Sequence, residues 1–220
     1  MRYINNNFWS KKKVLITGHT GFKGSWLSIW LNNLNAKVIG ISLRPATKPS
    51  LFYESRIANK IHSVIGNICD YDLVYSVIKN FKPEIIIHMA AQPFVRQSYD
   101  NPRETYTTNV IGTVNLLEAA RKVNSAKVIV NVTSDKCYEN YEKKSGYTEH
   151  DRLGGHDPYS SSKGCSEILT ASYRRSYFNK GNIALSSVRA GNVIGGGDWN
   201  EGRLIPDILK ELKSKKKIII

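Results

Sequence analysis

An apolar run, Val14-Leu15-Ile16-Thr17, leads straight into a turn with glycines at 18, 21 and 24, and this junction constrains the fold more than any other stretch. Beyond it Trp26, Leu27, Ile29, Trp30, Leu31 and Leu34 recur at helical spacing. The segment therefore reads as strand, tight glycine turn, helix. Such a turn lets backbone approach a pyrophosphate and aims the free N–H groups of the helix N-terminus at it. Glycine also serves ordinary strand-to-helix turns, so the triplet gains its meaning from the rest of the chain. A Walker-type loop needs Gly-Lys-Ser/Thr, and here Lys23 precedes Gly24, which removes that reading.

Downstream of the turn the chain alternates regularly. Short apolar runs at Lys37–Ile41, Ile61–Ile65, Glu84–Ala91, Lys127–Val132 and Ile183–Val188 predict five further strands. Between them lie predicted helices: a short one near Leu51–Ala58, one over Tyr71–Asn80 capped by Asp70, and long ones over Asn101–Val123 and Tyr159–Phe178. After Leu204-Ile205-Pro206-Asp207 a last helix runs through Leu212. Strand and helix alternate without a hairpin signal, which predicts an α/β chain: a Rossmann-type, doubly wound parallel sheet with helices on both faces. Ligands of such sheets sit beyond the carboxyl ends of the strands. The residues there are Gly18–Gly24, Ser42–Arg44, Asn67–Ile68, Ala90–Gln92, Thr133–Lys136 and Ala190–Asn192.

Composition narrows the classes. Three scattered cysteines, Cys69, Cys137 and Cys165, form no CxxC pair, so neither a disulfide framework nor a metal site is expected. No apolar stretch nears the ~20 residues of a membrane helix, and no apolar segment follows Lys11-Lys12-Lys13 as in a signal peptide. A cytoplasmic protein without membrane contact is expected. The net charge of +14 is spread along the chain, clustering only at 11–13 and 213–217. It predicts attraction to an anionic small substrate rather than nucleic-acid binding.

Two clusters carry candidate chemistry. Tyr159 and Lys163 stand four apart at a helix start, on one face. A phenol titrates near 10, and a neighbouring cation favours its ionised form. Thr133-Ser134-Asp135-Lys136 follows the fifth strand and delivers hydroxyl, carboxylate and amine to the same rim.

Gly18-x-x-Gly21-Phe22-x-Gly24, Ala90-Ala91-Gln92, Thr108-Asn109-Val110-x-Gly112-Thr113 and Tyr159-x-x-x-Lys163, in this order, resemble the extended short-chain dehydrogenase/reductase family. Ala91-Gln92-Pro93-x-Val95-Arg96-x-Ser98-Tyr99, Thr133–Tyr138 and Arg189–Trp199 are similar to its nucleotide-sugar 4,6-dehydratases, with CDP-glucose as the implied substrate. The resemblance implies that Gly18, Thr20, Gly21, Phe22, Lys23, Gly24, Arg44, Asn67, Ile68, Ala90, Ala91, Gln92, Asn109, Thr133, Tyr159 and Lys163 hold a nicotinamide dinucleotide. Gln92, Arg96, Ser98, Ser134, Asn192 and Arg203 would touch substrate.

In the implied chemistry Tyr159 takes the C4 hydroxyl proton, Lys163 holds the nicotinamide ribose and depresses the phenol pKa, and Ser134 bonds the reacting oxygen. Asp135 is the acid for the departing C6 hydroxyl. Lys136 stands where related enzymes carry a glutamate base and must be neutral to act. A nucleotide-sugar epimerase, which needs no such acid, and a non-catalytic cofactor-binding regulatory module are the alternatives.

The acidic residue usual about 20 positions past the first glycine is replaced by Ser42-Leu43-Arg44. Arg44 suits a 2′-phosphate and NADP; the resemblance favours NAD. Residues 1–190 are expected to be the NAD-binding domain and 191–220 the start of an incomplete substrate domain. A homo-oligomer is expected, with apolar surface near Trp199 and Ile218–Ile220 as a candidate contact.

Overall fold

The structure is a computed structural model and describes residues 6–179, 181 and 183–215; Ile218–Ile220 lie outside these. The strands are β1 (Lys13–Thr17), β2 (Lys37–Ser42), β3 (His62–Ile65), β4 (Ile85–His88), β5 (Val128–Val132) and β6 (Ala184–Val188). The helices are α1 (Asn6–Trp9), α2 (Phe22–Asn33), α3 (Leu51–Glu54), α4 (Tyr71–Phe81), α5 (Val95–Asp100), α6 (Pro102–Tyr106), α7 (Gly112–Val123), α8 (Pro158–Tyr173) and α9 (Leu204–Lys213). All strand pairings are parallel, in the order β3-β2-β1-β4-β5-β6. This is the doubly wound arrangement that the alternation predicts, with its order reversing between β1 and β4.

Period-two alternation decides which face each strand residue covers. Leu15, Ile39, Ile41, Ile86, Ile129 and Leu185 join the larger core, with Val74, Val77 and Ile78 of α4 and Leu116, Leu117 and Ala120 of α7. Val14, Ile16, Val38 and Ile85 point the other way, to Leu31 of α2. Toward the carboxyl ends of the strands the first face turns polar. Thr17, His88 and Asn131 are all fully or nearly buried there, against Thr113 of α7 and Ser166 and Thr170 of α8. The packed sheet thus ends in a buried hydrogen-bonded layer just beneath the rim.

Several elements differ from the sequence expectation. β4 stops at His88 rather than Ala91: Met89 N makes a last backbone bond to Thr17 O at 3.2 Å, and the Thr17 hydroxyl accepts from the N–H groups of Met89 and Ala90, both at 3.1 Å. The long helix expected over 101–123 is α6 and α7 joined by a π turn, Thr107–Ile111, and α5 precedes it. The helix over 159–178 likewise ends in a π turn, Arg174–Phe178. The short helix near 51–58 splits into α3 and a 3-10 turn, Ile57–Asn59. Asp70 caps α4 as expected, its carboxylate accepting from Leu73 N at 3.0 Å. Among the described residues no helix is long and apolar enough to cross a membrane.

Candidate active site

The glycine turn forms one wall of the site. Gly18 stands at φ +77°, and a Cβ there would lie 2.9 Å from Ala90 N. At Gly24 a Cβ would fall 2.1 Å from the Gly18 carbonyl oxygen, so only hydrogen lets α2 close onto the turn. Gly21 N donates to Gly18 O at 3.1 Å, and Gly21 is the N-cap residue of α2. Thr20 uses its hydroxyl internally, donating to Leu43 O at 2.7 Å and lying 2.8 Å from Ser42 Oγ. That ties the turn to the end of β2.

A cleft of about 710 Å³ runs along the carboxyl ends of β1 to β5. It is lined by Gly18, Thr20–Gly24, Arg44, Asn67, Ile68, Ala90, Ala91, Thr133, Tyr159, Lys163 and Arg203 among the residues singled out from sequence. Ser134, Asp135 and Lys136 do not line the cleft, though Ser134 and Asp135 lie near the Tyr159 phenol: Ser134 is buried and the other two are exposed on a 3-10 turn, Asp135–Cys137. Ser134 Oγ donates to Asp135 Oδ1 at 3.0 Å and accepts from Lys136 N at 3.2 Å.

Other expected contacts lie elsewhere. Gln92 and Asn109 are buried behind the wall and bond each other: Gln92 N donates to Asn109 Oδ1 at 2.8 Å, and Asn109 Nδ2 to Gln92 O at 3.1 Å. The Gln92 side-chain amide also reaches Thr105 Oγ1 at 2.9 Å, and that of Asn109 reaches Ser162 Oγ at 2.8 Å. Ser98 is fully buried, and its hydroxyl accepts from Tyr159 N at 3.1 Å, so it seats the start of α8. Arg96 and Asn192 are exposed and do not line the cleft.

The Tyr159 phenol is pushed up first by burial, while a hydrogen bond with Ser134 and the nearby Arg203 pull it down. Lys163 does not figure among the charges acting on it. The Lys163 ammonium is buried, 3.4 Å from Val132 O, and burial with the neighbouring Lys23 brings it down to about 8. It therefore exchanges its proton near neutral pH. Both features suit a site that moves protons.

Sequence reasoning missed the group that braces this wall. Glu167, one turn beyond Lys163 on the same face of α8, is 4% exposed. Its carboxylate accepts from Thr133 Oγ1, from Ser187 Oγ at 2.8 Å and from Arg189 at 2.8 Å. The other arm of Arg189 donates to Tyr138 OH at 2.8 Å, and its guanidinium lies over the Tyr138 ring. These bonds lower the Glu167 carboxyl despite its burial. The only available signal was the four-residue spacing Tyr159, Lys163, Glu167.

Two imidazoles beneath the rim are neutral. Burial, with the Lys163 charge adding, brings His88 down to about 3, and burial brings His19 down to about 4. His88 bridges Thr17 and Thr113 at 2.6 and 3.0 Å. The unfolded chain takes up these protons near 6.5 and the folded one does not. Stability is therefore full above about pH 6.5 and falls as the pH drops toward the folded values, by about 1.4 kcal/mol per pH unit for each histidine. Urea midpoints at pH 7 and pH 5 check this; equal midpoints would contradict it.

A parallel sheet in this order, with a glycine turn facing a Tyr-x-x-x-Lys helix across one cleft, defines a nucleotide-binding domain of the extended short-chain dehydrogenase/reductase type. Residues 15–215 match the model of the GDP-mannose 4,6-dehydratase family, and the chain belongs to that family. It is 53% identical to the CDP-glucose 4,6-dehydratase of Salmonella typhimurium over 222 residues, 99% of this chain and 62% of that one. A dTDP-glucose 4,6-dehydratase of Bacillus anthracis, solved with NAD, superposes with a TM-score of 0.78 at 29% identity, over 94% of this chain and 63% of the other. A dTDP-glucose 4,6-dehydratase of Streptomyces venezuelae shares the fold with a TM-score of 0.81 at 24% identity, over 92% and 62%. The chain thus spans under two thirds of the length of these relatives.

Proposed function

We propose that this chain carries the dinucleotide-binding and proton-transfer half of a nucleotide-sugar 4,6-dehydratase, with CDP-glucose as substrate and deoxysugar synthesis as its purpose. The observation that supports it most is that Tyr159 and Lys163 line the same cleft as the glycine turn, with Ser134 close to the Tyr159 phenol. The 53% identity to an enzyme named for CDP-glucose points to the same substrate.

The cleft fits a dinucleotide in its chemistry. The turn has no room for Cβ atoms at Gly18 and Gly24, and cationic Lys23 stands beside it. Gly18–Gly24 would hold the pyrophosphate, Asn67 and Ile68 the adenine end, and Lys163 the nicotinamide ribose. NAD, when bound, supplies an acceptor for the C4 hydrogen of the sugar and a donor back to C6.

The chain's own groups handle the protons. Tyr159 removes the proton of the C4 hydroxyl, with Ser134 holding the same oxygen. The resulting ketone acidifies C5–H, which Lys136 would remove as the base. Asp135 would protonate the C6 hydroxyl so that it leaves as water. Residues 191–220 would begin a substrate domain, and binding energy from the remote nucleotide would support the chemical step. A homo-oligomer in the cytoplasm remains our expectation.

Incubation with CDP-glucose or dTDP-glucose, followed by mass analysis, tests the reading. Loss of one water from CDP-glucose is expected, and Tyr159→Phe is expected to slow it by about 10²-fold or more. An isomerised product of unchanged mass would replace the dehydratase reading by the epimerase one.

A further inference from the structure

The chain between β6 and α9 reaches from one wall of the cleft to the other. On one side it is seated on the helices that follow β1 and β2. Trp26 Nε1 of α2 donates to Gly196 O at 2.8 Å. A Cβ at Gly195 would stand 3.2 Å from Phe22 Cζ, and one at Gly197 would stand 2.9 Å from Leu51 Cδ1 of α3. Gly197 also holds φ +86°, a conformation that glycine adopts without strain. The two glycines flanking the Trp26 bond thus let backbone lie directly on Phe22 and Leu51.

On the other side the same segment ends at Arg203, whose guanidinium lies 5.4 Å from the centre of the Phe94 ring, at the N-cap of α5. Between these seats the buried Asp198 carboxylate accepts from Asn200 N at 3.2 Å and Asn200 Nδ2 at 2.7 Å, and stands 3.6 Å from Arg203 Nε. Phe22, Phe94, Asn200 and Arg203 all line the cleft. α2 follows β1 and α5 follows β4, the two neighbours between which the strand order reverses. The segment therefore bridges the crevice in which ligands of such sheets lie. Each of these seats is a contact within the chain.

Resting on the reading of this cleft as a nicotinamide-dinucleotide site, we propose that residues 195–203 are a strap that a dinucleotide must lift to enter or leave, latched to α2 by Trp26 and seated on α3 at Gly197. Such a strap suits a reaction whose hydride is lent and returned, since the dinucleotide then has no need to leave between turnovers. Loosening the latch should quicken entry and exit alike and leave the affinity nearly unchanged. Damage to the phosphate seat would instead weaken the affinity.

Stopped-flow mixing of the 220-residue chain with NADH, read by the fluorescence of NADH itself, gives the entry rate, and a chase with excess NAD gives the exit rate. Neither needs substrate or turnover. Trp26→Phe keeps a ring and loses the N–H donor, and both rates should rise about fivefold, the order of one hydrogen bond. Gly197→Ala should raise both about tenfold, because its φ of +86° then carries a side chain. Glu201 lies on the same strap, and its carboxylate pairs with the exposed Lys210 at 3.0 Å; Glu201→Gln should leave both rates at the parent values. Parental rates in Trp26→Phe would overturn the proposal even if Gly197→Ala failed to fold. A Kd weakened tenfold in Trp26→Phe with entry unchanged would overturn it too. Binding of neither NADH nor NAD by the parent chain would overturn the underlying cleft assignment as well, an outcome distinct from the other two.

Discussion

Arg189→Ala is expected to cost about 3–5 kcal/mol of folding stability, because it leaves the buried Glu167 carboxylate without its counter-ion. The pair is 2.8 Å apart and its side chains are 16% and 4% exposed. Thr133 and Ser187 continue to donate to the carboxylate but bring no charge. The damage is not confined to stability. Arg189 also holds Tyr138, which closes the turn that carries Ser134 and Asp135, so the separation of Ser134 from Tyr159 loosens too. Urea unfolding measures the first effect; hydrogen exchange across 133–138 measures the second. The double variant Arg189→Met, Glu167→Leu should recover much of the stability, since two apolar residues of similar size leave no charge stranded. If Arg189→Ala cost less than about 1 kcal/mol, the bracing role assigned to this pair would be wrong.

Gly24→Ala should be nearly as damaging and should also abolish dinucleotide binding. Its Cβ would stand 2.1 Å from the Gly18 carbonyl oxygen and 2.8 Å from His19 Cα, both backbone atoms that cannot swing aside. Relief requires α2 to back away from the turn, at a cost of about 3 kcal/mol, the upper end for overpacked cores. The N–H groups at the start of α2 would then no longer converge on one point. Gly146→Ala provides the comparison: nothing lies within 4 Å of a Cβ there, and that variant should unfold with the parent. Thermal unfolding of the two variants, with calorimetry using NAD and NADP, separates lost packing from lost binding. Full binding by Gly24→Ala would show that the turn tolerates a shift of α2.

Much of this was legible in the residues themselves. Unbroken apolar runs marked the buried parallel strands, because a strand covered on both faces needs no alternation. Asp70 announced a helix start, and its carboxylate accepts from Leu73 N. The glycine turn and the Tyr159–Lys163 spacing located opposite walls of one cleft. What stayed hidden depended on distant partners. Glu167 sits in a helix as any surface glutamate would, and only the adjacency of β5 and β6 brings Thr133, Ser187 and Arg189 to it. Gln92 and Asn109 carry amides suited to a ligand, and tertiary packing turns them on each other instead. The interruption of the long helix at Thr107–Ile111 was equally silent, since four β-branched side chains in five residues lower helix propensity without forbidding a helix.

That interruption has a mechanical corollary. A π turn is an α-helix holding one residue in surplus, and each residue of a regular helix turns the chain by about 100°. The surplus therefore acts as a phase adjuster between two faces of one rod. Ahead of it, Thr105 is oriented to Gln92; within it, Asn109 meets the loop after β4; behind it, Leu116, Leu117 and Ala120 fall onto the aliphatic core. A strictly periodic helix of the same sequence would satisfy one of these alignments by rotating another out of place.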